Sequence, residues 1–283
     1  MNFVQVLNGI ALGSLFMILS SGLAMIYGLR GVGNFAHGAL YMAGAYIAYS
    51  VSTYISFWAA LIAAPLALAV IGVVIELVFF RPLQKRDHIQ VALITFGLAM
   101  VIERTIVLIW GADPLRVAPP DAFGGTISVL GASFPTYRLV LIGAALLIAL
   151  GLVIWLRWTR VGLEIRAASH DGTTAVILGV NVDRVSLIVV CVGAALAGLA
   201  GALAGPYTSV YPSMGSAILI SVLIVVVIGG IGSIAGAMIA GMGLGIVQTL
   251  GTVYVPDVAA LVPYVAIVAV LLWRPMGLAG KRV

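Results

Sequence analysis

The chain has 283 residues, 63% of them hydrophobic and only 8% charged, with a formal net charge of +5 and a mean hydropathy of +1.23. A soluble globular domain carries about 25% charged residues, so this composition excludes one and points to a polytopic α-helical membrane protein. The positive balance reads as membrane orientation rather than a nucleic-acid footprint, and the single cysteine, Cys191, excludes an intramolecular disulfide.

In chain order, residues 1–28 carry no basic leader and an apolar run too long for a cleaved signal peptide, so they are read as a first span, 3–28. Further spans are predicted at 36–54, 57–79, 89–111, 138–156, 185–205, 216–231, 233–252 and 258–273. That makes eight or nine crossings, because the pair after 215 also fits one span plus a re-entrant segment. All are expected to be helical, since an open sheet would leave backbone groups unpaired in lipid.

Alternate loops then sort the cations. Arg30, Arg81, Lys85, Arg86, Arg157, Arg160, Arg166, Arg184, Arg274, Lys281 and Arg282 fall on one side; Arg116 and Arg138 fall on the other. Such an excess marks the cytoplasmic side. The C-terminus and the loops 81–88 and 157–184 are therefore expected inside. The opposite loop, 112–137, holds Asp113-Pro114, Pro119-Pro120 and Gly124-Gly125, the turn chemistry of an ordered external cap. Residues 1–283 are read as a single transmembrane domain.

Four segments could carry function. In 28–38, three glycines in the run to Gly33, with Asn34, His37 and Gly38, interrupt two apolar stretches. Such a break can expose backbone to a cavity, or be an ordinary loop. Glu76, Glu103 and Arg104 are ionisable groups in or near spans. Glu76 is expected to pair with the Arg81–Arg86 cluster; Glu76 and Glu103 are the carboxylates an ion-coupled carrier would use.

The third segment, 157–184, holds seven charged residues, whereas the next 72 residues contain none. A short helix is predicted over 162–169, with Glu164 near its start. A second is predicted over 174–178, with Asp171 and Thr173 as competent N-caps and Gly179 as its stop. Ala175, Val176 and Leu178 would form an apolar surface in water, the mark of a protein contact. The alternative is a plain connection with Arg157 and Arg160 anchored at lipid headgroups.

The fourth segment, 229–245, has seven glycines, including Gly229, Gly230, Gly232 and Gly236. Close helix packing is the main expectation; a flexible hinge or a pathway lined by bare backbone is the other. Its spacing is not a nucleotide fingerprint. The chain has no G-x-x-x-x-G-K-[ST] loop, nucleophile motif or metal-ligand cluster. No catalytic residue, bound cofactor or enzymatic activity is therefore expected of this chain, and energy must come from an ion gradient or a partner.

Asn34-Phe-Ala-His-Gly38 followed by Tyr41-Met-Ala-Gly-Ala-Tyr46 resembles the signature of branched-chain amino-acid ABC importer permeases, LivH-like subunits. The loop from Arg166 through Asn181, the run Gly229-Gly-Ile-Gly-Ser233 and the tail Arg274-Pro-Met-Gly-Leu278 agree with it. The resemblance implies a multi-pass protein of the bacterial inner membrane that moves Leu, Ile, Val or related amino acids by alternating access. It implies a second homologous permease, two cytoplasmic ATP-binding subunits that use the ATP, and an external substrate-binding protein. It also implies a coupling helix around Ala167–Gly179, which assigns ATPase contact to Glu164, Arg166, Ala167, Ala168, Asp171, Ala175, Leu178 and Gly179. The translocation path would include Asn34, His37, Gly38, Tyr41, Gly229, Gly230, Gly232 and Ser233. The rival readings are a urea or short-amide importer of the same family, an ion-coupled carrier using Glu76 and Glu103, and a passive small-solute channel.

Overall fold

The computed structural model describes residues 2–83, 86–129 and 131–280. Lys85, Lys281 and Arg282, used above for orientation, lie outside the described residues, and loop 81–88 is described only in part. Eleven α-helices run α1 (Asn2–Arg30), α2 (His37–Tyr54), α3 (Phe57–Ile75), α4 (His88–Trp110), α5 (Thr136–Trp158), α6 (Arg160–His170), α7 (Gly172–Ile177), α8 (Val182–Ala204), α9 (Met214–Gly229), α10 (Ile234–Tyr254) and α11 (Val262–Trp273).

Among the described residues, seven helical segments are long and apolar enough to cross a membrane: α1, α3, α4, α5, α8, α10 and Pro256–Trp273, which contains α11. The expected spans at 36–54 and 216–231 correspond to α2 and α9, which do not meet that standard. α9 has 16 residues, and α2 carries tyrosines, serines and a threonine across its 18. Both are packed inside the bundle, where neighbouring protein replaces lipid as their solvent.

The depth order follows from burial. In the most apolar stretch of α1, 89% of residues are buried, against 11% for α4 and 6% for 256–273, so α1 is the central post and the latter two are peripheral. α1 packs on α10, α8, α5 and α9, while α2 and α3 pack on α8. Glycines permit the closest approaches. A Cβ on Gly13 would sit 2.7 Å from the Met242 carbonyl oxygen, and one on Gly44 would strike Gly198. Backbones this close maximise dispersion contacts, the main attraction available where lipid is as apolar as leucine.

The outer surface is oily. Ile62, Leu66 and Val70 on α3, Leu147 on α5 and Val265, Val268 and Leu272 on α11 are all exposed. On a soluble protein such a belt would drive aggregation; on this one it is the lipid-facing surface.

The eight described cations of the arginine-rich set mark helix ends that gather at one end of the bundle. There Arg30 of α1 pairs with Glu76, Arg81 lies 3.6 Å from Asp183 of α8, and the tail after α11 bonds back to the end of α9 through Leu278 N–H to Ile228 O, 2.8 Å. Glu76 is therefore not paired with the Arg81–Arg86 cluster as expected. It opens a π-helical turn, Glu76–Phe80, that swings its carboxylate onto α1, and Arg30 also donates to the Phe80 carbonyl at 3.1 Å.

The opposite end is closed by the 112–137 loop. Leu115 and Val210 exchange backbone hydrogen bonds at 2.8 Å, and a small hairpin pairs β1 (Thr126–Val129) with β2 (Ala132–Pro135). Arg138 donates to Asn8 and lies over the Tyr207 ring.

Candidate functional site

The break after α1 is built by Gly31, which adopts φ +68°. The chain then continues without helix until α2 begins at His37. Phe35 N–H donates to Thr95 Oγ1 of α4 at 3.1 Å, Ala36 N–H donates to Asn34 Oδ1 at 3.0 Å, and His37 Nε2 donates to the Leu19 carbonyl at 3.0 Å. Leu19 lies eleven residues up α1 from Arg30, about 16 Å into the bundle at the helical rise. The first turn of α2 is thus at mid-depth, where irregular backbone survives only inside protein. Asn34 and His37 are both buried, and among the described residues their Nδ2 and Nδ1 atoms have no hydrogen-bond partner. Gly38 holds the turn against α9, since any Cβ there would strike the Gly215 carbonyl.

One turn further, Tyr41 reaches a cavity of about 180 Å³ between α1, α2, α9 and α10. Its polar groups are Tyr41, Thr208, Tyr211, Ser221 and Gln248; Leu15, Phe16 and Ile218 supply apolar wall. Gln248 Oε1 is buried and has no hydrogen-bond partner among the described residues. Among the described residues no charged side chain lines the chamber. Hydroxyls and one amide over an apolar floor can hold a small molecule of no net charge and cannot compensate a lone ion. Residues Thr208, Tyr211, Ser221 and Gln248 were missed in sequence. Gln248 had a signal: it is the single Asn or Gln in the uncharged stretch 185–256.

Glu76 and Glu103 are not brought together. Glu76 is locked to Arg30 at the arginine-rich end. Glu103 and Arg104 line a different cavity near Pro114 and Tyr211, beside the opposite cap. Among the described residues no group of three His, Cys, Asp or Glu is close enough to hold a metal.

The loop 157–184 folds as two capped helices. Thr159 accepts from Gly162 N–H at 3.0 Å to start α6, where any Cβ on Gly162 would strike the Leu156 backbone. Asp171 accepts from the N–H groups of Thr173 and Thr174, both at 3.0 Å, and from the Thr174 hydroxyl. Those bonds, the Thr174 hydroxyl first, hold its carboxyl below the usual carboxylate range. Asp171, not Thr173, is the N-cap, and Gly179 at φ +87° stops α7. Asn181 caps α8 through Arg184 N–H.

The two faces of this loop differ. Ile165, Ala168 and Ala175 are buried, whereas Val176, Ile177 and Leu178 are 58%, 78% and 76% exposed. Ala175 thus faces away from the apolar surface on which it was expected, because a helix packed on α6 and α8 turns one side inward. Ile177, unassigned in sequence, is the most exposed of the trio. Glu164 and Ala167 are half-buried, and Arg166 is exposed with its guanidinium donating to the Leu156 carbonyl.

Gly230 and Gly232 adopt φ +98° and +80°, making the tight return from α9 to α10. Ser233 accepts from Gly236 N–H at 3.1 Å, and the tail residue Gly277 packs directly on Gly230. Gly232 and Ser233 face Arg166 across a second, larger cavity.

Residues 5–271 match the family model described as "Branched-chain amino acid transport system / permease component". The chain is 32% identical to the high-affinity branched-chain amino acid transport system permease protein LivH of Salmonella typhimurium and of Escherichia coli K12. In each case the match covers 98% of this chain and 95% of the relative. It is 29% identical to the permease protein BraD of Pseudomonas aeruginosa, again over 98% of this chain and 95% of the relative. No solved structure matches.

Proposed function

The chain belongs to the family of branched-chain amino acid transport system permease components, and we propose that it is one of two homologous membrane subunits of an ATP-driven importer. Its partners are a second permease, two ATP-binding subunits that hydrolyse the ATP, and an external substrate-binding protein. The chain itself binds no cofactor. We place it in the bacterial inner membrane, with the arginine-rich end, the 157–184 loop and the C-terminus in the cytoplasm, as positive-inside bias requires.

The observation that carries this reading is the Val176-Ile177-Leu178 surface. Three large apolar side chains are exposed at the C-terminal end of a short helix that Asp171 caps. α7 is the coupling helix in this account. It packs on α6 and α8, and α6 packs on α1, α5 and α8. Closure of the ATPase pair would move α6 and α7 as a unit and push on the central post. A switch needs such differential contact between its two states.

The substrate passes through the chamber at Tyr41, Tyr211 and Gln248, with Asn34 and His37 below it. Leucine, isoleucine and valine suit that chamber, being zwitterions without net charge and with apolar side chains. Urea or a short amide is the second reading, favoured by the same absence of charge. Calorimetry of the cognate binding protein against Leu, Ile, Val, Ala and urea separates them. Selective binding of the branched-chain amino acids supports the first reading, and selective binding of urea replaces it.

A further inference from the structure

At the arginine-rich end, the ends of α1, α5 and α6 and the start of α10 flank an open cavity of about 660 Å³. Arg157, Arg166 and His170 line it, and among the described residues no Asp or Glu does. Ser169 and Ser233 add hydroxyls, Gly232 brings bare backbone at positive φ, and the wall includes Ile234 and Ala235 at the N-terminus of the 21-residue helix α10. The unpaired N–H groups of a helix start and guanidinium forks are both anion donors. Arg166 is already oriented by its bond to the Leu156 carbonyl, and an arginine has further N–H donors to spare.

The other half of the wall is apolar: Met25, Val153, Leu156 and Ile165. Next to it, Ile154 on α5 and Ile239 on α10 are exposed on the oily surface. A free phosphate would fill a small part of this space and leave that wall unused. A group with an anionic head and an attached hydrocarbon chain fits both halves.

We propose that this cavity binds an acidic phospholipid, its phosphate held by Arg157, Arg166 and the start of α10, and its acyl chains lying along α5 and α10. The site joins the loop that carries α6 and α7 to the glycine turn before α10, so an occupied site ties coupling helix and bundle together through lipid. The proposal needs only that the chain spans a membrane, and it stands whatever the transported substrate.

The test is native mass spectrometry of the purified full chain released from micelles containing phosphatidylglycerol or phosphatidylcholine. The wild type should retain phosphatidylglycerol about thirtyfold better, the two arginines near the headgroup contributing about 1 kcal/mol each. Arg157→Gln/Arg166→Gln should abolish the preference, whereas Arg160→Gln/Arg184→Gln, which removes equal charge elsewhere on the loop, should keep it. Ala235→Trp retains every charge and fills the cavity; it should also lose the lipid while eluting as a monodisperse species. Equal loss in both double variants, or full retention by Ala235→Trp, would overturn the site. Displacement of the lipid by excess inorganic phosphate would assign the site to free phosphate and overturn the lipid. Unchanged lipid retention with loss of ATPase-subunit binding in Arg157→Gln/Arg166→Gln would give the arginines to a protein contact instead.

Discussion

Arg30, the last residue of α1, and Glu76, the first of the π turn, form an ion pair with 12% and 1% of their side chains exposed. The pair ties the central post to α3, and the π turn makes it possible by rotating Glu76 inward and freeing the Phe80 carbonyl for the same guanidinium. Glu76→Gln should destabilise the purified protein by about 3–5 kcal/mol, because a buried arginine is left uncompensated. Arg30→Met/Glu76→Leu should recover most of that loss. Thermal unfolding followed by size-exclusion chromatography measures both.

Leu178→Glu should reduce uptake about thirtyfold, the effect of about 2 kcal/mol at a docking hot spot, with normal membrane insertion. Ala175→Glu should act differently. It buries a charge at a site only 2% exposed, so protein levels in the membrane should fall together with uptake. Uptake and immunoblotting of membranes separate the two outcomes.

Asp171 holds the start of α7 by accepting two backbone N–H bonds. Its carboxyl titrates below the usual carboxylate range in the folded chain, so the cap is complete above about pH 5 and is lost only as pH falls through that lowered value. Hydrogen exchange of the 172–178 segment should therefore show no protection step between about pH 6 and 8 beyond the intrinsic pH dependence. Asp171→Asn, a competent cap, should keep protection, and Asp171→Ala should lose it.

Gln248→Leu should lower substrate uptake about tenfold by removing a polar partner worth about 1.4 kcal/mol, while ATPase-subunit assembly stays normal. Tyr211→Phe should give a smaller loss. Uptake assays alongside co-purification of the ATPase subunits check both.

Much of this was legible in the sequence. Uncharged runs gave the helices, and glycine with Asn34 gave the break before α2, because both act locally. Asp171 and Gly179 announced α7 by the same local chemistry. What escaped was set at long range. The partner of Glu76 is 46 residues away, and a π turn carries no residue pattern that separates it from α-helix. The facing of Ala175 depends on how α7 packs on α6 and α8. The chamber at Tyr41 is assembled from four helices, and only the isolation of Gln248 in an uncharged stretch hinted at it.

Uptake of labelled leucine into proteoliposomes containing the complete transporter and its binding protein tests the central claim most directly. The account requires ATP on the side of the 157–184 loop, persistence of uptake in the presence of a protonophore, and loss in Leu178→Glu. Leucine accumulation driven by a proton gradient without ATP, and abolished by Glu103→Gln, would contradict it.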